Sequence, residues 1–407
     1  MPNTHKRLLV LGAGQDQAFM VKTAKAMGIT TLAVDMNPDA PALALADDFG
    51  IVSTRDIPTL KAFLDDFIKE KPIHGVATMG SDIPHIVAEV AEQLGTWHIA
   101  HETAKLATNK YEMKEAFKRG GVRIPDYRLV GSAHEVHEAF DQYGKLVIKP
   151  LSEAGSRGVS LITDKADIDE LFARAFAYAV DGKVLIESFL EGPQISTESL
   201  MVDGKIVTPG YADRNYDVLE RFLPQIMENG GIQPSQHQDA FDSIEAMLLK
   251  AAKSLGLHHG VMKGDVVLTK DGPAIIEVAA RLSGGDFCES LVPLGTGVNY
   301  VRNVIRMALG EAVDLGELTP TMNRAVSNRY FFAEPGRFHS VEGVDEVTAK
   351  DWIHKFEIWY KPGDILPETR SHGQRFGVFV LTSDDRESAI EREKWVYDTI
   401  KIRIDPV

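Results

Sequence analysis

Asp265 and Glu277 flank an Asp271–Gly272 turn in GVMKGDVVLTKDGPAIIEVAARLSGG (260–285). Two apolar runs around such a turn predict a β-hairpin. A three-residue loop centred on Asp271 sets the two carboxylates opposite each other across antiparallel strands; a strict two-residue Asp-Gly turn offsets them by one. Like charges facing each other on a half-buried sheet repel. Val266, Val267, Ile275 and Ile276 predict burial, which deepens the conflict. A cation resolves it, and magnesium is commonly held by one or two carboxylates together with substrate phosphates. The plainer alternative puts the two acids on opposite, solvated faces. Arg281 and Gly284–Gly285, just beyond, favour the metal site.

Lys149 poses a second question. It ends the apolar run Leu146, Val147, Ile148 in VIKPLSEAGSRGVSLI (147–162), and a buried ammonium needs an anionic partner. Pro150 stops the strand, and Ser152, Gly155, Ser156 and Gly158 supply a loop with free backbone N–H groups, suited to phosphate oxygens. Arg157 could add charge. The alternative is a hairpin loop with a surface lysine. Unlike a Walker loop, this one follows its lysine and lies between two strands. Glu187 ends another apolar run, KVLIE, where its carboxylate could accept from an adenine amino group, or could be an N-cap or a surface acid.

The elements that must carry these residues follow from periodicity. Residues 7–100 alternate short apolar runs (8–12, 30–35, 50–52, 74–80) with amphipathic segments, which predicts βαβ units and a parallel sheet. The first turn, G-A-G-Q-D-Q, and Asp35 hint at a dinucleotide site, but Gln17 stands where the third glycine should, so a tight turn with Gly12 and Gly14 near a substrate is the better reading. Further on come a helix at 109–119, strands at 124–130, 145–149 and 158–162, a helix near 165–179 and a hairpin turning at Asp203–Gly204. Residues 215–235 lack periodicity and read as a long functional loop. A helix at 236–255 precedes the carboxylate hairpin, and short strands and turns fill the chain from 323 until a last helix at 384–399.

The 407 residues suffice for two or three domains. A net charge of -15 argues against nucleic acid and acidic membranes as partners. The single cysteine, Cys288, excludes an internal disulfide and suits a cytoplasmic setting; it reads as a small buried hydrophobe. The apolar run before Gly12 is too short for a signal peptide or a membrane span.

Strand lysine, glycine loop, acid-ended strand, then carboxylate hairpin and arginine: this order resembles the ATP-grasp superfamily. TNKYEMKEAFKRGGVRIPDY (108–127) is similar to the opening segment of its ATP-binding domain. The resemblance implies α/β and α+β architecture: a Rossmann-like pre-ATP-grasp domain (1–106), a two-subdomain ATP-grasp fold (107–322) with a lid subdomain at about 122–187, and a small α+β C-terminal domain (323–407). It implies ATP and Mg2+ (or Mn2+) as cofactors. Lys110 and Lys149 would then reach the ATP phosphates, residues 152–158 would form the lid loop, and Glu187 with the backbone of Phe189 and Leu190 would hold adenine. Gln194 would sit by the ribose, Asp265 and Glu277 would ligate the metal, and Arg281 would face an acyl phosphate.

EVAARLSGG (277–285), NRYFFAEPGRF (328–338) and KPGDILPETRSHGQRFGVFVLTSDDRESAI (361–390) look like the L-amino-acid ligase branch, which joins a carboxylate to an amine. There Glu228, before Pro234–Ser235, and Gly284–Gly285 would meet the substrate. Small-molecule carboxylate and amine partners follow, and a homodimer is common in the superfamily. Two positions depart from its pattern: Gln194 replaces a frequent Glu, and Glu277-Val278-Ala279 lacks the usual Asn. Gly231 stands where relatives often carry His, which predicts a wider pocket. Tyr211, Arg214 and Tyr216 are pocket contacts or loop packing, with packing favoured. Residues 74–114 also resemble the carbamoyl-phosphate synthase large chain, so a bicarbonate-activating enzyme is one rival. A non-catalytic ATP-binding regulatory protein is the other.

Overall fold

The computed structural model describes residues 6–152, 155–179 and 182–406. Strands β1 (Arg7–Leu11), β2 (Thr30–Asp35), β3 (Asp48–Ile51) and β4 (Gly75–Ala77) form a parallel sheet in the order β3-β2-β1-β4. Leu8, Leu9, Val10 and Leu11 are fully buried, as a strand covered on both faces requires. The first turn is a tight Rossmann-like turn. Asp35 Oδ2 accepts from the Ala13 amide at 2.9 Å, so this acid braces the turn. The Gln17 side chain is buried and donates to the Met79 carbonyl and, at 3.1 Å, to Ser81 Oγ.

A second sheet contains β5 (Tyr127–Val130), β6 (Leu146–Lys149), β7 (Ser160–Ile162) and β8 (Val184–Ser188) in the order β5-β8-β6-β7. The helices Ala133–Tyr143 and Ile168–Phe176 close its small core around Val136, Leu146, Ile148 and Leu171.

The third sheet begins with β9 (Gln194–Val202) and β10 (Lys205–Arg214), then β11 (Gly231–Gln233), β12 (Gly260–Thr269) and β13 (Gly272–Ala279). After a helical stretch the chain adds β14 (Ala325–Phe331), β15 (Gly336–Glu342), β16 (Ile353–Ile358), β17 (Ile365–Leu366), β18 (Gly377–Ser383) and β19 (Lys401–Asp405). Eight of these make one sheet, β13-β12-β9-β10-β11-β14-β18-β16, while β17-β15-β19 form a small one beside it. The Asp203–Gly204 turn between β9 and β10 has positive φ at both residues (50° and 79°), the type I′ geometry expected.

Residues 215–235 differ from the long loop expected. They hold a short helix, Leu219–Phe222, and β11, which pairs with β10 on one side and β14 on the other. Segments beyond 323 thereby continue the sheet that carries the carboxylate hairpin. No helix among the described residues is long and apolar enough to cross a membrane.

Candidate active site

The three sheets meet around a cavity of about 460 Å³. Lys110, Lys149, Gly155, Ser156, Glu187, Phe189, Leu190, Gln194, Glu228, Asp265, Glu277, Arg281, Gly284 and Gly285 all line it. Of the residues expected at the site, Gly12, Gly14, Ser152, Arg157 and Gly158 do not. Ser152 is exposed, and Gly158 (φ 68°) packs where a Cβ would fall 2.8 Å from Pro150 and Tyr178, so it serves the loop's shape. Glu153 and Ala154 of the expected lid loop lie outside the described residues.

Asp265 and Glu277 are directly paired across β12 and β13, but by another route than the one expected. The hairpin loop has two residues, Lys270 and Asp271, and Gly272 (φ 106°) begins the return strand. That loop alone would set Asp265 opposite Ile276. A β-bulge between 265 and 266 shifts the register by one residue and restores the carboxylate pair. Lys114 Nζ donates to the Ile276 carbonyl at 3.0 Å, which satisfies the bulge backbone.

Lys114 was missed in the sequence. It lies one turn beyond Lys110 on the helix Lys110–Arg119, which Asn109 caps by accepting from the Tyr111 and Glu112 amides. Its ammonium is buried and pairs with Glu187 at 2.9 Å, while Lys149 pairs with the same oxygen at 2.7 Å. The anion that a buried Lys149 requires is therefore Glu187 itself. The Glu187 carboxylate is thus shared, through Oε1, by two lysines while it lines the cavity. Burial pushes the Lys114 ammonium down to about 8 against the pull of Glu187. Burial alone would raise Glu187, but the two lysines hold it below the usual carboxylate range.

Asp265 is equally engaged. Lys263 Nζ pairs with its Oδ2, Arg214 with its Oδ1 at 3.1 Å, and Ser196 Oγ donates at 3.0 Å. Burial would raise its pKa, yet Lys263 and Arg214 outweigh this and hold the group well below the usual range. The like-charge conflict is thus relieved on this side by the protein's own cations. Glu277 is half-buried, with Lys110 at 3.8 Å.

Arg214 bridges Asp265 and Glu228 (3.4 Å), and Arg375 also reaches Glu228 at 3.1 Å. Packing was the favoured reading for Arg214 and Tyr216, but both line the cavity. Tyr216 donates to Gln194 Oε1 at 2.9 Å, which fixes the orientation of that amide in the cavity wall. Tyr211 does pack, stacked on Phe241 at 3.8 Å. The Phe189 amide donates to the Lys145 carbonyl at 3.2 Å, which leaves Leu190 as the backbone donor of that pair. Gly231 is required by strand packing: a Cβ there would lie 2.8 Å from the Asp213 carbonyl oxygen. The wider pocket expected from a lost His side chain is therefore a close approach of β10 and β11 instead.

Arg281 is positioned by Asp82, in the segment after β4. Its Nε donates to Asp82 Oδ1 at 2.7 Å and one Nη to the Leu282 carbonyl at 3.1 Å. Behind it, fully buried Glu198 accepts from Tyr300 Oη and from the Ser283 amide at 3.3 Å, fixing the loop after β13. Burial raises Glu198 to about 7. Cys288 is buried beside it; burial lifts its thiol far above the ordinary range, and Sγ donates to the Ser283 carbonyl at 2.8 Å. Glu92, His98 and His101 are the one trio of potential metal ligands among the described residues, and they do not line the cavity.

Residues 107–285 match the ATP-grasp domain family, and residues 329–405 match the L-amino acid ligase C-terminal domain 2. Dapdiamide A synthase of Enterobacter agglomerans is 24% identical over 303 residues, covering 70% of this chain and 69% of that protein. The crystal structure of an L-amino acid ligase from Bacillus licheniformis superposes with a TM-score of 0.84 at 20% identity, covering 100% of each chain. The biotin carboxylase domain of Hydrogenobacter thermophilus 2-oxoglutarate carboxylase, crystallised with MgADP, ADP and bicarbonate, gives 0.73 at 19% identity, covering 98% of this chain and 91% of that one. The chain contains an ATP-grasp domain and an L-amino acid ligase C-terminal domain. It is an ATP-dependent ligase of the class that forms carbon–nitrogen bonds.

Proposed function

We propose that the protein joins an amino acid, or a similar carboxylate, to an amine through an acyl phosphate, releasing ADP and phosphate. One observation carries this reading: a strand lysine, a helix lysine, a register-paired Asp265 and Glu277, and Arg281 converge on one cavity whose far wall comes from the first domain. Lys110 and Lys149 hold the ATP phosphates. The two carboxylates fit a hard divalent ion, Mg2+ or Mn2+, which when bound supplies charge neutralisation on the phosphates. Lys263 and Arg214 hold Asp265 ionised, the form in which a carboxylate binds a metal.

The substrate carboxylate oxygen takes the γ-phosphoryl group, and the bond to ADP breaks. Arg281 balances charge on the acyl phosphate. The amine nitrogen then bonds to the acyl carbon, the carbon–oxygen bond to phosphate breaks, and the amine gives up a proton. Positioning and electrostatics carry the catalysis, without a covalent nucleophile from the protein. Closure over the cavity protects the acyl phosphate from water.

The test measures ADP release with ATP, Mg2+ and pooled L-amino acids, together with mass detection of the amide. ADP release matched by amide product supports the reading. Release driven by bicarbonate alone, or nucleotide binding without turnover under every pairing, would overturn it.

A further inference from the structure

Seven carboxylates line the cavity, and six of them have a cationic side chain within 4 Å among the described residues. Five of these pairings, Asp82 with Arg281 among them, are described above; the sixth is Asp213 with Arg386 at 2.8 Å. Asp16 is the exception. It stands in the first turn of the helix Gln15–Ala26 and accepts only the Gly285 amide, at 3.1 Å through Oδ1. Its other oxygen, Oδ2, has no hydrogen-bond partner among the described residues.

The space around that oxygen is built by two glycines from different domains. A Cβ on Gly80, after β4, would lie 2.2 Å from Asp16 Oδ2, and a Cβ on Gly284, after β13, would lie at the same distance. Met79 and Leu282 bridge the two segments, with the Gly80 amide on the Leu282 carbonyl at 3.1 Å. The carboxylate thus occupies a slot that side chains would fill, two residues beyond the backbone that fixes Arg281. Every other acid in the cavity has a cation within 4 Å; Asp16 has none that close among the described residues, Arg281 and Lys355 acting on it only from farther off, and a half-buried carboxylate in that state favours a cationic ligand.

The reaction proposed above supplies such a ligand. We propose that Asp16 docks the ammonium of the amine substrate and takes the proton it must shed before attack. One N–H proton of the ammonium passes to Asp16 Oδ2, the freed lone pair bonds to the acyl carbon, the carbon–oxygen bond breaks, and the departing phosphate takes the second proton from the nitrogen now bonded to carbon. Burial, with Asp286 nearby, holds the Asp16 carboxyl above its ordinary range, which suits an acceptor for that proton. Charged primary amines are then the substrate class. Asp16 is a specificity-determining and proton-accepting residue of the site, and the assignment rests on the ligase reading.

The experiment compares wild type with Asp16→Asn in two reactions, using pooled L-amino acids as the carboxylate source. Hydroxylamine, uncharged at assay pH, traps the acyl phosphate as a hydroxamate and needs no ammonium site. An L-amino acid as nucleophile forms the amide and does. Asp16→Asn should cut amide formation by about 100-fold, within the usual contribution of a general base, and hydroxamate formation by far less, the hydroxamate that remains reporting a folded enzyme. Equal rates in both reactions, or an equal loss in both, would overturn the role of Asp16. A wild type that forms no hydroxamate would instead overturn the acyl-phosphate reading beneath it.

Discussion

Ser156 Oγ lies 3.1 Å from His372 Nε2, joining the glycine loop after β6 to a turn 216 residues later in the chain. The His372 amide adds a bond to the Gly155 carbonyl at 3.1 Å. Ser156 holds φ at 60°, a left-handed conformation in which its hydroxyl meets the imidazole. Ser371 and Gln374 cap the turn reciprocally, so the histidine is presented by a braced element. Burial, and then Arg375, Arg214 and Lys263, hold its pKa well below 6.5. His372 is therefore neutral near pH 7, and the imidazole is a hydrogen-bonding latch on the loop.

His372→Ala should loosen this latch. One hydrogen bond contributes about 1 kcal/mol, roughly a fivefold shift in the closed population. ADP released without amide should rise by a similar factor, read as the ratio of the two products. An unchanged ratio would separate the contact from lid closure. Because the native pKa is depressed, the histidine's contribution to stability is present above about pH 6.5 and is lost as pH falls through the native value.

Glu187 should be among the costliest of the cavity acids to neutralise. Glu187→Gln leaves Lys114 and Lys149 buried side by side without an anion, a change of about 3–5 kcal/mol. Thermal melting should show a large drop. Lys149→Ala keeps the Lys114–Glu187 pair, so the fold should survive while ATP affinity falls severely; calorimetric titration with an ATP analogue that found unchanged affinity would contradict the lysine's assignment.

The paired carboxylates should separate cleanly by burial. Glu277 is half-buried with Lys110 at 3.8 Å, so Glu277→Gln should cost at most about 1 kcal/mol. Activity should nonetheless fall near background. Asp265→Asn removes the charge between Lys263 and Arg214 and should cost several times more stability, about 3–5 kcal/mol. Chemical denaturation of both variants checks the order, and full activity in Glu277→Gln would remove its metal-binding role.

Glu198 provides a pH test. Its native pKa of about 7 lies above the ordinary value of 4.5. The native state therefore binds more protons than the unfolded chain between these values, and this contribution is fully present below about pH 4.5 and lost as pH rises through about 7. Glu198→Gln should flatten the fall in melting temperature between pH 5 and 8. A wild-type slope retained in the variant would assign it elsewhere, with Glu289, also raised to about 7, the next group to substitute.

Local patterning made much of this fold readable. The alternation of apolar runs through residues 100 announced the parallel sheet, Asp203–Gly204 its type I′ turn, and Lys149 its need for an anion. What stayed hidden depends on contacts distant in sequence. Lys114 sits in KYEMKEAFKR, where a charged helix face looks solvated; only the approach of β8 and β13 makes it a buried partner. The bulge that aligns Asp265 with Glu277 has no composition of its own, and β11 is three residues long inside an aperiodic stretch. Gly231 illustrates the opposite failure: its missing side chain suggested an opening, whereas the strand spacing demanded glycine.

The eight-stranded sheet has a bearing on modular engineering. Removing the chain after 322 would strip β14 from β11 and bare a row of unsatisfied amides and carbonyls, an invitation to intermolecular pairing. Grafting the final module of a related enzyme onto this one consequently means matching a strand register, and cutting at a linker will not suffice.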